Sequence, residues 1–497
     1  MVSSGAVAKL PRARVESAEI MSGGSTQEQL DQILLGNEDG STRHPKAPPT
    51  FISTLLTIAG GQFGCIAIAA IAEICFARLL GPAPRGLISL CLMAIAFGAM
   101  VGSLGSEATV VVWISRTRGH HHSAWFPAVM FWVATGCLLS ASAWAVLYWQ
   151  VHPSFLKGIT PGLALLVLWS IPVTVAFSVL MAMLVGEERF YLRSLIALVN
   201  RMAALLAFLI IVIPLGRRAE TAVIGNLVGL LVALGIAAAA LRAFFHNAWQ
   251  VLRAQAQLVP TVLFGIRGQA GTLASFFSYR LDVFVVNYFL DASQVGLYSL
   301  GVIISEALWQ LPAIVATALF PRTARTVDAG AGNFTCMILR QVSFITIVAA
   351  LLIALASPVA IPLIFGARFT PSIAVIWWIL PGTVALSLGK VVAADLTARG
   401  LVNHLPVSAV IGLILTLVLD FLLIPRLGIQ GAALASSVAY LGSGFYLLAI
   451  IQRKLKASWK SLLLPSFAEL RGYGRLWSLL RARFRPLSTE SRTTSAS

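Results

Sequence analysis

Leu79-Leu80-Gly81-Pro82-Ala83-Pro84-Arg85-Gly86-Leu87-Ile88-Ser89-Leu90 returns, degraded, about 210 residues later as Phe289-Leu290-Asp291-Ala292-Ser293-Gln294-Val295-Gly296-Leu297-Tyr298-Ser299-Leu300, each time between two long apolar runs. A second echo at nearly the same offset sets Ile213-Pro214-Leu215-Gly216 against Ile424-Pro425-Arg426-Leu427-Gly428. Small-residue runs follow near Ala222 and Ala432. Two echoes that agree on one offset mark an internal repeat. The chain reads as two copies of one unit, and a duplicated membrane bundle places a transport path between its halves.

Apolar residues make up 58% of the 497 and charged ones 11%, with a mean hydropathy of +0.86. That balance excludes a soluble globular protein of this length and indicates a polytopic membrane protein. Windows of roughly 20 apolar residues mark six spans in the first copy, near 51–77, 87–114, 125–149, 163–185, 195–215 and 222–241. Six more follow in the second, near 261–289, 295–319, 338–365, 373–394, 406–425 and 431–451. The runs contain Gly and Pro, Pro172 and Pro312 among them. They must be helices, because a helix satisfies its own backbone groups in lipid, and each such Pro is expected to mark a kink. The expected fold is thus all-α, with twelve transmembrane helices in two parallel six-helix repeats. It divides into an N-lobe (51–241), a linker (242–260) and a C-lobe (261–452).

Orientation follows from Arg116, Arg118, Arg189, Arg193, Arg242, Arg253, Arg322, Arg325 and Arg399, all in even-numbered loops. Both termini are expected in the cytoplasm, against the minority vote of Arg217 and Arg218. The net charge of +17 sits mainly in membrane-flanking loops and the C-terminal tail, which points to lipid headgroups and away from nucleic acid. Residues 1–50 mix both charge signs with Ser, Gly and Pro, and are expected to be a disordered cytoplasmic tail. In the basic tail 453–497, Trp459, Leu463, Leu476, Trp477, Leu480 and Phe484 fit a surface-lying amphipathic segment, and a disordered basic tail is the open alternative. The linker, with Phe245, Trp249 and Leu252 at helical spacing, is expected along the cytoplasmic face. The five cysteines have no paired spacing and read as small core residues. His120-His121-His122 cannot all face one ion, so no metal site is expected.

Ionisable residues that lack a counterpart in the other copy are the better functional candidates. At the 210-residue offset Glu107 falls on Thr317, Arg280 on Ala70 and Glu306 on Ala96, while Glu73 comes within one position of Asp282. A charge at mid-membrane costs about 2.5–3.5 kcal/mol, so it faces protein or a water-filled cavity. Arg280 and Glu306 lie about equally far from the turn between spans seven and eight, so they reach similar depth and can pair. A structural ion pair and a functional role both stand open for them. Asp282 points away from Arg280 and continues a small, polar stripe through Ser278, Ser275, Gly271 and Gly268, suited to a hydrated cavity or close packing. Arg201, Arg267 and Lys390, near cytoplasmic ends, are expected to snorkel to the interface.

Four segments carry a resemblance: Arg78-Leu79-Leu80-Gly81-Pro82 with Gly86-Leu87; Arg280-Leu281-Asp282 with Val295-Gly296-Leu297-Tyr298-Ser299; Leu319-Phe320-Pro321-Arg322; and Pro425-x-x-Gly428-x-x-Gly431-Ala432-Ala433. In this order, over 51–452, they resemble the polysaccharide and oligosaccharide flippases of the multidrug/oligosaccharidyl-lipid/polysaccharide exporter superfamily. The long N-terminal tail departs from that family's short start. The resemblance implies a V-shaped transporter in a bacterial inner membrane, with a central cationic cavity that rocks between two open states. The implied substrate is an undecaprenyl-pyrophosphate-linked oligosaccharide for exopolysaccharide, capsule or O-antigen. A polysaccharide polymerase and export complex are the implied partners.

Arg280 is then the candidate deep cation for the pyrophosphate, with Arg78 and Arg85 near the outer mouth. Glu107, Asp282, Glu306 and Asp420 are candidates to carry a coupling proton or sodium ion. No cofactor is implied. A multidrug antiporter shares the fold and would show an apolar or acidic cavity. A membrane-embedded glycosyltransferase or polymerase would need a substantial outer loop with catalytic residues. Here the loop between spans seven and eight is only 290–294, and Gly-rich nucleotide loops, HExxH and GxSxG are absent.

Overall fold

A computed structural model describes residues 51–116, 126–151, 154–242, 258–310, 312 and 330–463. The N-terminal tail, the His120–His122 loop, most of the linker, the Leu319–Arg322 motif and the tail beyond Leu463 lie outside the described residues, as does the side chain of Arg267. Every regular element among the described residues is helical. The N-lobe runs α1 (Phe51–Leu80), α2 (Pro82–Ser103), α3 (Ser106–Arg116), α4 (Phe126–Val146), α5 (Pro161–Gly186), α6 (Phe190–Leu215) and α7 (Ala219–Ala240). The C-lobe runs α8 (Leu258–Phe289), α9 (Ala292–Glu306), α10 (Gly330–Ile364), α11 (Ser372–Ala398), α12 (His404–Leu427) and α13 (Ile429–Leu455). The short α14 (Trp459–Leu463) follows.

Ten of these helices are long and apolar enough to cross a membrane, and the chain is a multi-pass membrane protein. α8 and α9 are not among the ten. α8 carries Arg280 and Asp282 in its apolar run, and α9 is described only to Glu306 before tightening into a 3-10 turn at Ala307–Trp309. That tightening comes just ahead of Pro312, whose missing N–H cannot bond the carbonyl of Leu308. At Pro172, where a kink is expected, α5 continues as one helix. The second expected span is two helices. It starts at Pro82, in the first turn where a missing N–H costs nothing, and stops at Leu104 and Gly105, both at positive φ (47° and 79°). α3 then resumes the run.

The duplication is visible in the packing. α1 packs on α6, α2 on α5, α4 on α5, α5 on α7 and α6 on α7. In the C-lobe α8 packs on α12, α9 on α11, α10 on α11, α11 on α13 and α12 on α13. Each C-lobe contact is the counterpart of an N-lobe contact, in the same order, so the two copies are parallel repeats. The second echo is a turn in both: Gly216 (φ 80°) and Gly428 (φ 61°) reverse the chain after a Pro in the last helical turn, a backbone state that glycine reaches without strain.

The first echo is where the halves meet. α2 crosses α9, the largest contact between the lobes, and it does so symmetrically. A Cβ on Gly86 would strike the carbonyl of Ala292, and one on Gly296 would strike the carbonyl of Pro82. Gly86 and Gly296 are equivalent positions, as are Pro82 and Ala292. Ser89 and Ser299, also equivalent, are joined Oγ to Oγ at 3.0 Å. The motif therefore lies on the pseudo-two-fold axis, and small residues recur there because the backbones touch. The side carrying both copies is called the motif face below.

Candidate functional site

α8, α9, α12 and α13 bring together most of the charges inside the C-lobe. Asp282 is 1% exposed. It accepts from Tyr298 Oη at 2.5 Å, from Ser436 Oγ at 3.2 Å and from its neighbour's backbone N–H at 2.7 Å. Tyr298 and Ser436 are themselves 3.1 Å apart. Asp420, on α12, is fully buried, and neither of its carboxyl oxygens has a hydrogen-bond partner among the described residues. An unpartnered buried carboxylate is costly, and so points to an ion, a proton or water at that position.

One helical face over, Arg280 Nη2 meets Glu306 Oε2 at 2.7 Å. The pair expected from equal depth is present. A quarter of the Arg280 side chain stays accessible, while Glu306 is nearly buried and its second oxygen has no partner among the described residues. Lys390 does not snorkel. Its ammonium sits 4.4 Å from the centroid of Trp309 and 5.5 Å from that of Tyr279. Tyr279 in turn packs on Trp309 and Tyr440, both at 5.7 Å. Ring faces attract a desolvated cation strongly enough to turn it inward. Arg201 is exposed on α6.

Two of the remaining candidates, Arg85 and Arg78, serve the contact between lobes. Arg85 is 1% exposed in this conformation. Its Nη2 and Nε reach Glu73 Oε2 at 2.8 and 3.1 Å, and its Nη1 donates across the interface to Gly296 O at 2.6 Å and Ser299 Oγ at 2.7 Å. Arg78 donates to the carbonyls of Leu363 and Ile364 at the end of α10, the latter at 2.7 Å. A cation at a helix C-terminus satisfies orphan carbonyls and meets the favourable end of the dipole. Both arginines thus donate to the other lobe. Asn287 adds a third tie, from α8 to the carbonyls of Phe155 and Lys157 at 2.8 and 3.0 Å. Glu107 stands exposed in the first turn of α3, away from the C-lobe cluster.

Toward the opposite face the lobes also touch. Gln269 Nε2 donates to Met100 O at 3.0 Å, and Gly105 packs against the backbone of Gly265. Between the two contacts lies a cavity of about 660 Å³, walled by Phe97, Trp144, Phe277, Phe284, Tyr288 and Phe421 and almost wholly apolar. Among the described residues that line it there is no cation. Arg280 is not among the residues that line it, and Phe97 and Phe277 stand 5.1 Å apart across the lobes.

Tyr298, Ser436, Tyr440 and the Lys390 ring cage were not singled out from sequence. The signal that could have found them is spacing: Ser436 and Tyr440 are one turn apart on a helix otherwise rich in small residues, and Tyr298 sits inside the repeated motif.

The family model for polysaccharide biosynthesis protein matches residues 54–327. No curated protein sequence matches the chain. Among solved structures it is similar to the lipid II flippase MurJ in an inward closed conformation, at 15% identity over 87% of this chain and 94% of that one, with a TM-score of 0.68. A multidrug resistance MATE family transporter of the MOP superfamily is also similar. Its inward-facing form matches at 13% identity, 81% and 98% coverage and a TM-score of 0.57. Its outward-facing form matches at 14% identity, 81% and 96% coverage and 0.55. At these identities the likeness establishes the fold alone.

Proposed function

We propose, given that this chain belongs to the polysaccharide biosynthesis protein family, that it is a flippase. It would carry an undecaprenyl-pyrophosphate-linked oligosaccharide from the inner to the outer leaflet of a bacterial inner membrane by alternating access, in service of exopolysaccharide, capsule or O-antigen assembly. Such a substrate has an anionic pyrophosphate, a polar sugar that cannot cross hydrocarbon and a prenyl tail that can stay in lipid. The protein needs to shelter the head alone.

The observation that carries this reading is Arg280, a guanidinium deep in the second lobe that is bonded to Glu306 through one nitrogen while a quarter of its side chain stays accessible. Phosphate recognition uses such a charge-assisted donor. Asp282 and Asp420 fit the coupling step, as paired carboxylates that take up a proton or sodium ion. A polymerase and export complex would receive the product.

The test is depletion of the protein in a cell that makes the polymer. The lipid-linked oligosaccharide should accumulate on the cytoplasmic leaflet, and unchanged leaflet distribution would contradict the reading. A second reading, a multidrug antiporter of the same superfamily, is favoured by the apolar wall of the inter-lobe cavity. It predicts altered sensitivity to lipophilic cations on depletion, with no lipid-linked intermediate retained.

A further inference from the structure

α8 brings Phe277, Phe284 and Tyr288 to the apolar cavity of about 660 Å³, where Phe421 of α12 and Phe97 of α2 join them. At the 210-residue offset Phe277 falls on Ala67, Phe284 on Ile74 and Tyr288 on Arg78. Phe421 stands four residues before Pro425, as Ile210 stands four before Pro214. The rings that the second lobe supplies therefore belong to one copy alone. A wall that the shared scaffold required would repeat, and this one does not.

None of the residues lining this cavity comes from α9. The pseudo-two-fold axis runs through the crossing of α2 and α9, so the cavity stands to one side of it, between α4 and α12. α12 is the inverse of a soluble helix: Ser408, Gly412, Thr416 and Asp420 are buried, while Ile414, Val418 and Phe421 are exposed. That exposed face meets lipid. Ala143 of α4, Tyr288 and Phe421 line the cavity and are themselves exposed, so the cavity opens toward hydrocarbon at this seam. Apolar walls keep such a space free of water and suit it to a hydrocarbon guest.

A second cavity, of about 770 Å³, adjoins the first at the motif face, and the two share Leu156 and Tyr288 as walls. It is lined by Ser154, Lys157 and the turn at Gly158, whose φ is 88°. Among the described residues that line it Lys157 is the only charged one, and it is exposed and in no ion pair with them. The loop that carries Lys157 is fixed. Asn287 holds the carbonyls of Phe155 and Lys157, and Tyr148 Oη donates to Ile159 O at 2.9 Å. A cation held beside a dry cavity matches a molecule with an anion at the end of a hydrocarbon chain.

We propose that the two cavities form one docking site for a polyprenyl pyrophosphate lipid at the motif face, with the chain between α4 and α12 and the pyrophosphate at Lys157. The choice of lipid rests on the flippase reading, and the shape of the site supports it. One apolar chamber takes one chain, whereas a diacyl phospholipid brings two. In a polyprenyl pyrophosphate the anion is bonded directly to the chain, with no glycerol between them, and the two cavities are likewise joined directly. On the topology expected from the arginines the motif face is external, which makes this an exit site. A lipid held there lies off the axis, so it can leave sideways into the leaflet while the lobes stay closed.

The experiment uses the full chain in phosphatidylcholine nanodiscs, with the photoreactive residue p-benzoylphenylalanine in place of Phe421. The control carries it in place of Ile210, the counterpart in the first copy, which is 68% exposed. The probe is undecaprenyl pyrophosphate without sugar, and the adduct is read by mass spectrometry. Capture at position 421 should exceed capture at 210 by about tenfold, because a docked chain has a higher effective concentration than one passing in the bilayer. Lys157→Gln should cut that capture by about tenfold, through loss of one charge-assisted contact, and Lys157→Arg should keep most of it. Lys157 is exposed on a loop, so neither change touches the core. Equal capture at the two positions in folded protein would overturn the site, and capture indifferent to Lys157→Gln would overturn the placement of the head. Equal capture of dioleoylphosphatidylglycerol at the same mole fraction would overturn the choice of a single-chain lipid. Protein that moves a lipid-linked oligosaccharide without excess capture at 421 contradicts this site alone. Excess capture by protein that moves none contradicts the flippase reading and leaves the site standing.

Discussion

At the scale of residues, Arg280 decides between two accounts of the C-lobe cluster. If it meets the substrate pyrophosphate, Arg280→Ala should abolish flipping at near-normal membrane abundance. Arg280→Lys should keep part of the activity, since the interaction needs positive charge more than a planar fork. If it serves only Glu306, either single substitution leaves an uncompensated charge in a low-dielectric region, at a cost of about 3–5 kcal/mol for a fully buried pair. With a quarter of Arg280 accessible the cost should fall below that range, but abundance should still drop before activity per molecule does. The exchange Arg280→Glu with Glu306→Arg should restore abundance under the structural account and fail to restore flipping under the functional one. The depth of the pair was legible in the sequence because helix rise fixes it. The inward turn of Lys390 was not, because it depends on Trp309 and Tyr279, which come from two other helices.

Arg85 offers a second prediction at this scale, with a different signature. Its guanidinium joins Glu73 in its own lobe to Gly296 and Ser299 in the other, and we propose that it positions the lobes. Arg85→Ala should weaken closure at the motif face and raise the reactivity of a cysteine at Ala83 toward an impermeant thiol reagent. Arg85→Lys should restore closure only in part, because one ammonium cannot span both partners. Unchanged reactivity in Arg85→Ala would show that the contact does not hold the lobes together.

At the scale of elements, the crossing of α2 and α9 is the feature most sensitive to small changes. A methyl group at Gly86 or Gly296 has no space, since each would meet a backbone carbonyl of the opposing helix, and overpacking of this kind costs about 1–3 kcal/mol. Gly86→Ala and Gly296→Ala should each lower the thermal unfolding temperature. The double variant should be less than additive, because one separation of the helices relieves both clashes. Strict additivity in a thermal-shift measurement would mean that the two sites do not share an interface.

The repeat itself was readable because its signals are local: Gly81-Pro82 opens a helix, and Gly216 and Gly428 close one. The break at Leu104 and Gly105 was hidden, since hydropathy continues unbroken across it and the left-handed leucine is held by tertiary packing. The inverted face of α12 was hidden for a related reason. Ser408, Gly412 and Thr416 are common residues in membrane helices, and only burial shows that they, and not the valines between them, face the protein.

For the whole molecule, parallel duplication puts both copies of the motif on one side of the membrane. Cysteines at Ala83 and Ser293, in a background without native cysteines, should both be labelled by an impermeant reagent from outside the cell. Labelling of one alone would contradict the arrangement. The lobes are tied at the motif face by Arg85, Arg78, Asn287 and the Ser89–Ser299 bond, and at the other face by Gln269 and one glycine approach. Alternating access needs each set to break in turn.

The central claim is that this two-lobed fold moves a lipid-linked oligosaccharide. Its most direct test is reconstitution of the purified protein in liposomes holding undecaprenyl-pyrophosphate oligosaccharide, with an impermeant glycosidase outside. Wild-type protein should expose the protected, inner-leaflet half of the substrate to the enzyme, faster with an imposed proton or sodium gradient, while Arg280→Ala should leave that half protected. Continued protection of the inner-leaflet substrate by folded wild-type protein, under either gradient, would contradict the account.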